Sequence, residues 1–268
     1  MTAAPPAWWR APLARLGAWR EQRALARRAI PDDLWALTLQ RLPFLARLDD
    51  TERADLRRLC SLFLDHKSFH GVGGLDVTDD MALMIAAQAC LPVLRLGLHF
   101  YDPVVGVIVH PERMVVQQNI VDEDGVVHEF EDELAGELTN RGLIELAWPE
   151  VEAAGEDAVS EEAYNVVIHE FVHLIDAATG EIDGVPPLPD RAAREHWIAI
   201  IDPAWEAFCA LVDDGVETVV DPYGAEAVDE FFAVAVEAFF VAPAPFKRES
   251  PALYELLAGY FKQDPAVA

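Results

Sequence analysis

The run His169-Glu170-Phe171-Val172-His173 constrains this chain more than any other stretch. It is an H-E-x-x-H pattern inside residues 160–180, SEEAYNVVIHEFVHLIDAATG. Residues four apart lie one above the other on a helix face, so His169 and His173 can aim two imidazoles at one metal ion. Glu170, beside the first histidine, can reach a water held there and act as general base. The flanks read as helix: Ser160 as N-cap, Glu161 and Glu162 in the first turn, Gly180 as the stop. Tyr164, Val167, Ile168, Phe171, Val172, Leu174 and Ile175 make that helix apolar on most sides, which predicts burial. Buried histidines and a buried glutamate on one stripe need partners. Zn²⁺ is the metal expected, since it takes imidazole and carboxylate ligands and keeps one position open in catalytic sites.

A catalytic zinc site of this kind needs a third protein ligand. Downstream candidates are His196, Glu226, Asp229, Glu230 and Glu237. A carboxylate on an apolar helix is costly unless it is paired or binds a metal. Glu230 and Glu237 are seven apart and share one face of the run AEAVDEFFAVAVEAFF, residues 225–240. Glu230 is read as the ligand. Glu237, two turns on, is read as a carboxylate that orients an imidazole N–H, with Asp176, three residues after His173, as a second such group. An ordinary helix-surface acid is the alternative for both.

The 268 residues are 52% hydrophobic, enough for one domain with a sizeable core. A net charge of −27 argues against nucleic-acid binding, which needs basic surfaces. Six arginines against one acid, Glu21, give residues 1–30 a charge of +5 and leave −32 to the rest. With Trp8, Trp9 and Trp19, that stretch reads as a basic N-terminal tail, and residues 31–268 as a single zinc peptidase domain. Cys60, Cys90 and Cys209 lack CxxC spacing, which argues against a disulfide framework and a cysteine zinc knuckle. No run of 18 uninterrupted apolar residues and no secretory h-region is present, so a cytoplasmic protein with reduced cysteines and no transmembrane segment is expected.

Periodicity and turn signals predict helices over 31–47, 50–64 and 78–90, and short strands at 104–109, 114–121, 125–130 and 142–148. The strand before the metal helix, Gly142 to Trp148, is either the wall along which an extended peptide adds or an ordinary edge strand. His66 and His70 read as helix-end and loop residues, and His128-Glu129-Phe130 as a strand without the second histidine. After a proline-bearing loop, separate helices are predicted around Trp197–Ile201 and Trp205–Val212, then a buried helix from near Ala225.

HEFVHLID, the proline loop, DPYG (221–224) and DEFFAVAVEAFF (229–240) together resemble the Mlc titration factor A family of zinc metallopeptidases. The likeness runs from about residue 33 and includes CLPVLRLGL at 90–98. The resemblance implies a mixed α+β, zincin-like fold with helices packed on a small mixed β-sheet. It implies zinc held by His169, His173 and Glu230, Glu170 as base, and Tyr223 steadying the oxyanion as in the related anthrax lethal factor catalytic domain. It also implies aminopeptidase-like cleavage of peptide substrates and a transcriptional regulator of the Mlc type as partner. The basic N-terminus and the pronounced acidity depart from the family pattern. Two functions remain: a peptidase working through Glu170, or a regulatory protein that sequesters a repressor around a largely structural metal helix.

Overall fold

The computed structural model describes residues 19–267 except 113, 122–126, 135, 139–141 and 157–162. Residues 19–27 form the first helix, α1, with Ala24 buried and Arg27 paired to Asp65. α2 (Asp32–Arg41) ends at Leu42, and Pro43 opens a separate 3₁₀ turn to Arg47. The single helix predicted over 31–47 is therefore two pieces, because Pro43 cannot donate its backbone hydrogen bond. α3 (Asp50–His66) starts on a capping box, in which the Asp49 side chain and Glu52 each satisfy the other's backbone N–H. α4 (Asp79–Cys90) is capped by Thr78.

Between and after these helices lie the strands β1 (Ser68–Gly71), β2 (Gly106–His110), β3 (Met114–Val121), β4 (Val127–Leu134), β5 (Gly136–Leu138) and β6 (Leu143–Ala147). They make a sheet of order β1-β2-β6-β5, with β1, β2 and β6 parallel and β5 antiparallel, beside a separate β3–β4 hairpin. Val107, Val109, Ile144 and Leu146 face the core fully buried, and the alternate residues Ile108, His110, Leu143 and Glu145 are half-buried. That alternation is the period of two that a half-covered strand imposes. Two expectations change here. His70 lies on β1, not in a loop. The 142–148 strand is not an edge, because β6 is paired on both sides, to β2 and to β5.

The rest of the chain is helical: α5 (Trp148–Glu156), α6 (Val166–Asp176), α7 (Arg191–Asp213), α8 (Val228–Val241), α9 (Pro243–Glu249) and α10 (Pro251–Phe261). α7 is one helix and not the two predicted around Pro203. Trp197, Ile201 and Phe208 bury one face across the proline, and that burial outweighs the missing hydrogen bond. α6 and α8 pack on each other at the centre. Phe171 of α6 is fully buried and meets the rings of Tyr101 at 4.8 Å and Phe63 at 5.6 Å, both edge-on. Such pairs add about 0.5–1.5 kcal/mol each beyond area burial. The fold is thus a mixed, helix-dominated α+β domain with a small sheet. Among the described residues no helix is long and apolar enough to cross a membrane.

Candidate metal centre

The helix that carries the H-E-x-x-H run is shorter than predicted. α6 starts at Val166, and its N-cap is Asn165, whose Oδ1 accepts from the Ile168 N–H at 2.9 Å. The proposed cap Ser160, with Glu161 and Glu162, lies outside the described residues. After Asp176 a 3₁₀ turn runs to Thr179, and Gly180 stops it in the left-handed region at φ 96°. Asn165 was legible as a cap, being a strong N-cap type directly before the apolar run.

α6 sets the His169 and His173 rings 4.8 Å apart, and Glu230 meets them from the first turn of α8. Nε2 of His169 lies 3.1 Å from Nε2 of His173 and 3.1 Å from Oε2 of Glu230. Nε2 of His173 lies 3.4 Å from the same oxygen. A tetrahedral zinc ion with ligands at 2.0–2.2 Å spaces its ligand atoms roughly 3.3 Å apart, so the three atoms describe a face of that figure. Glu230 Oε2 is buried, and the two imidazole nitrogens are the polar atoms that face it among the described residues. These residues fit a metal ion, and they are the one such group among the described residues. Glu226, Asp229 and His196 are not part of it, and Glu226 and His196 are exposed.

The charges at this point are arranged for a cation. Burial alone would push Glu230 up, yet the two imidazoles hold its carboxyl down to about 2. Burial would lower His169, but Glu230 and Glu237 overcome it and hold the imidazole well above its ordinary range.

Glu237 is 1% exposed on α8. Its Oε1 accepts from His169 Nδ1 at 2.8 Å, which leaves Nε2 of that ring with its lone pair toward the metal position. Its Oε2 accepts from the Asn165 backbone N–H. One carboxylate therefore ties the start of α6 to the imidazole one turn further on. Glu170 is buried at 7% exposure, and burial raises its pKa against the lowering effect of the two histidines. A carboxylate so placed is a better proton acceptor than one in water. Tyr164, just before α6, is raised by burial and by the charge and hydrogen bond of Glu150, a partner that the sequence reading did not name.

Asp176 is fully buried, and its Oδ2 accepts from the Gly184 N–H at 2.8 Å. Gly184 has φ 73°, and a Cβ there would meet the Val228 carbonyl oxygen at 2.9 Å, so only glycine lets this loop close on the start of α8. Tyr223 stands in a 3₁₀ turn, Pro222–Ala225, with its ring 6.1 Å from that of His169. It is 43% exposed, on the open side of the site. Gly224 holds this turn against α8, where a Cβ would come within 2.7 Å of Val234 Cγ2.

Comparison with known proteins places this geometry in a family. The model of the family described as glucose-regulated metallo-peptidase M90 matches residues 16–262. The protein slr2042 of Synechocystis sp. is 36% identical over 251 residues, 93% of this chain and 90% of its own length. Mlc titration factor A of Klebsiella pneumoniae strain 342 is 32% identical over 84% of each chain. The protein of that name from Escherichia coli strain SMS-3-5 is 31% identical over 92% of this chain and 91% of its own. A match of that length, with His169 and His173 of α6 meeting Glu230 of α8 in a group that could hold a metal ion, means that the chain belongs to the M90 family of glucose-regulated metallo-peptidases, alongside the Mlc titration factor A proteins.

Proposed function

We propose that the protein is a zinc-dependent, zincin-like peptidase of the cytoplasm, with aminopeptidase-like action on peptide substrates and residues 31–268 as its catalytic domain. The observation that carries this reading is the triangle of donor atoms from His169, His173 and Glu230, 3.1 to 3.4 Å on a side, with Glu170 buried next to it. His169, His173 and Glu230 would hold the metal. The chemistry that zinc supplies in such a site is Lewis acidity, toward a substrate carbonyl and toward water.

The remaining work falls to the chain. Glu170 takes the proton of the attacking water on its carboxylate and delivers it to the leaving amine. Its raised basicity suits both transfers. Tyr223, on the open side of His169, donates its hydroxyl hydrogen to the oxyanion of the tetrahedral intermediate. Glu237 keeps the His169 proton on Nδ1. β6, enclosed by β2 and β5, does not itself offer a free edge to a peptide.

The second reading rests on the name of the relatives, Mlc titration factor A. It makes the protein a regulatory one that binds a transcriptional regulator of the Mlc type, with peptide cleavage secondary. Glu170→Gln separates the two. The variant should keep zinc and fold while hydrolysis of aminoacyl and peptide reporters falls by roughly 10²–10⁴. Equal rates in wild type and variant, or no cleavage by either, would leave the binding function. Glu230→Ala should lose zinc by elemental analysis, and retention of zinc there would move the third ligand elsewhere.

A further inference from the structure

α7 and α10 pack on each other and leave a cleft of about 510 Å³ along their seam. It shares no residue with the metal cluster. Its volume lies within the roughly 300–1,000 Å³ of small-molecule sites, and the seam between helices is one of their usual places. Leu96, Phe100, Leu188 and Leu256 line it, each half-buried against the core on one side. Trp197 and Tyr260 line it too, edge-on to each other with ring centroids 5.5 Å apart. The Trp197 ring is fixed, since its Nε1 donates to the Gly184 carbonyl at 2.8 Å. The apolar walls are therefore preformed.

Packing within the fold does not account for two residues on the border of this cleft. Gly259 lies inside α10, where glycine costs helix stability that alanine or leucine would not. It has no left-handed φ, and a Cβ built there would meet nothing within 4 Å. What the missing side chain keeps open is the cleft that Gly259 lines. Lys262 follows α10 in the left-handed region at φ 55°, the one non-glycine residue to do so among the described residues. Glycine or asparagine is the usual occupant of such a helix end, and a lysine carries a steric penalty there.

The chain has three lysines and a net charge of −27. Lys67 donates to the carbonyls of Tyr101 and Val104, and Lys247 pairs with Glu255 at 3.2 Å. Lys262 is exposed and has no ion pair among the described residues. It lines the cleft together with His196, a second exposed nitrogen donor. Glu255, the acid on the same border, is the one that Lys247 already holds. We propose that the cleft binds a small amphipathic carboxylate of the fatty-acid type. Its alkyl body lies between α7 and α10 over Gly259, and its carboxylate accepts from the Lys262 ammonium, with His196 as the second donor. The apolar walls take the body out of water, and an unpaired ammonium on an otherwise acidic protein marks where one negative charge is favoured. A purely apolar ligand would leave Lys262 unused, and a cationic one would be repelled by it.

Titration calorimetry of the full chain with decanoate should show one molecule bound per chain. Decanol has the same body without the charge and should bind about tenfold more weakly, the effect of losing one charge-assisted hydrogen bond. Lys262→Gly removes the ammonium and the steric penalty together. Its melting temperature should not fall, its decanoate affinity should drop about tenfold, and its decanol affinity should stay as in wild type. Gly259→Leu fills the cleft with a side chain that helices favour, so it should melt no lower than wild type and bind neither compound. Decanoate that does not bind wild type, that binds it no better than decanol does, or that binds Gly259→Leu equally well overturns the proposal. So does a Gly259→Leu protein that melts well below wild type, since the glycine is then needed for packing. A dimer in sedimentation that Gly259→Leu dissociates, with no decanoate bound by wild type, would assign the cleft to a second copy of the chain instead.

Discussion

At the residue scale, the site is a competition between burial and charge. Burial disfavours ionisation of Glu170, Glu230 and Glu237; both histidines oppose it at Glu170 and Glu230, and His169 alone of the two at Glu237. Glu230 ends low because two imidazoles face one oxygen, and Glu237 ends high because it is enclosed completely. Glu237→Gln keeps the volume but weakens the acceptor for His169 Nδ1, so zinc affinity should drop about 10–100-fold while the fold survives. An unchanged zinc dissociation constant would remove Glu237 from that role. The raised His169 pKa also predicts a pH dependence. Its folded value lies above the unfolded one, so in metal-free protein its stabilisation is complete below about pH 6.5 and fades as pH rises through the folded value. Zinc binding has the opposite slope, since its ligands must shed protons. The gap in melting temperature between zinc-loaded and metal-free protein should therefore widen from about pH 6 to about pH 8. A gap that narrows would contradict the assignment of His169.

At the element scale, the site depends on how α6 and α8 meet. Asn165 caps α6 with its side chain and reaches Glu237 of α8 with its backbone. The turn bearing Tyr223 is seated by Gly224, whose position above Val234 and Phe231 leaves no room for a methyl group. Gly224→Ala should push the turn off α8 and carry Tyr223 away from His169, lowering hydrolysis while zinc content stays near one per chain. Zinc lost together with activity would show that α8 moved, and Glu230 with it. These elements differ in how legible they were. The starts of α3 and α4 rest on residues within one turn, the Asp49–Glu52 box and the Thr78 cap, so local reading reached the helices over 50–64 and 78–90, though not the box itself. The continuity of α7 through Pro203 rests on Trp197, Ile201 and Phe208 meeting a core built from distant segments.

At the scale of the whole molecule, α6 is packed by α8, by the sheet and by the rings of Phe63 and Tyr101, which meet its Phe171. Metal binding is then coupled to the stability of the domain. With zinc at about 100 times its dissociation constant, the folded state gains about 2.7 kcal/mol. For a domain of this size that is roughly 5–10 °C in melting temperature, and a strong chelator should reverse it. A melting curve indifferent to zinc and chelator would mean that the cluster binds no ion in solution.

What the sequence determined by itself was which residues make up the candidate metal cluster and which helices carry them. Those follow from local rules: the four-residue spacing of His169 and His173, the apolar run around them, and the cost of leaving Glu230 unpaired on an apolar helix. Only the tertiary structure decided which carboxylate faces which histidine, that β6 lies between β2 and β5, and that Asn165, Gly184 and Gly224 seat the segments around the site. Each of these is a contact between segments far apart in the chain, set by shape and by the need to pair buried polar atoms, and no periodicity within one segment encodes it.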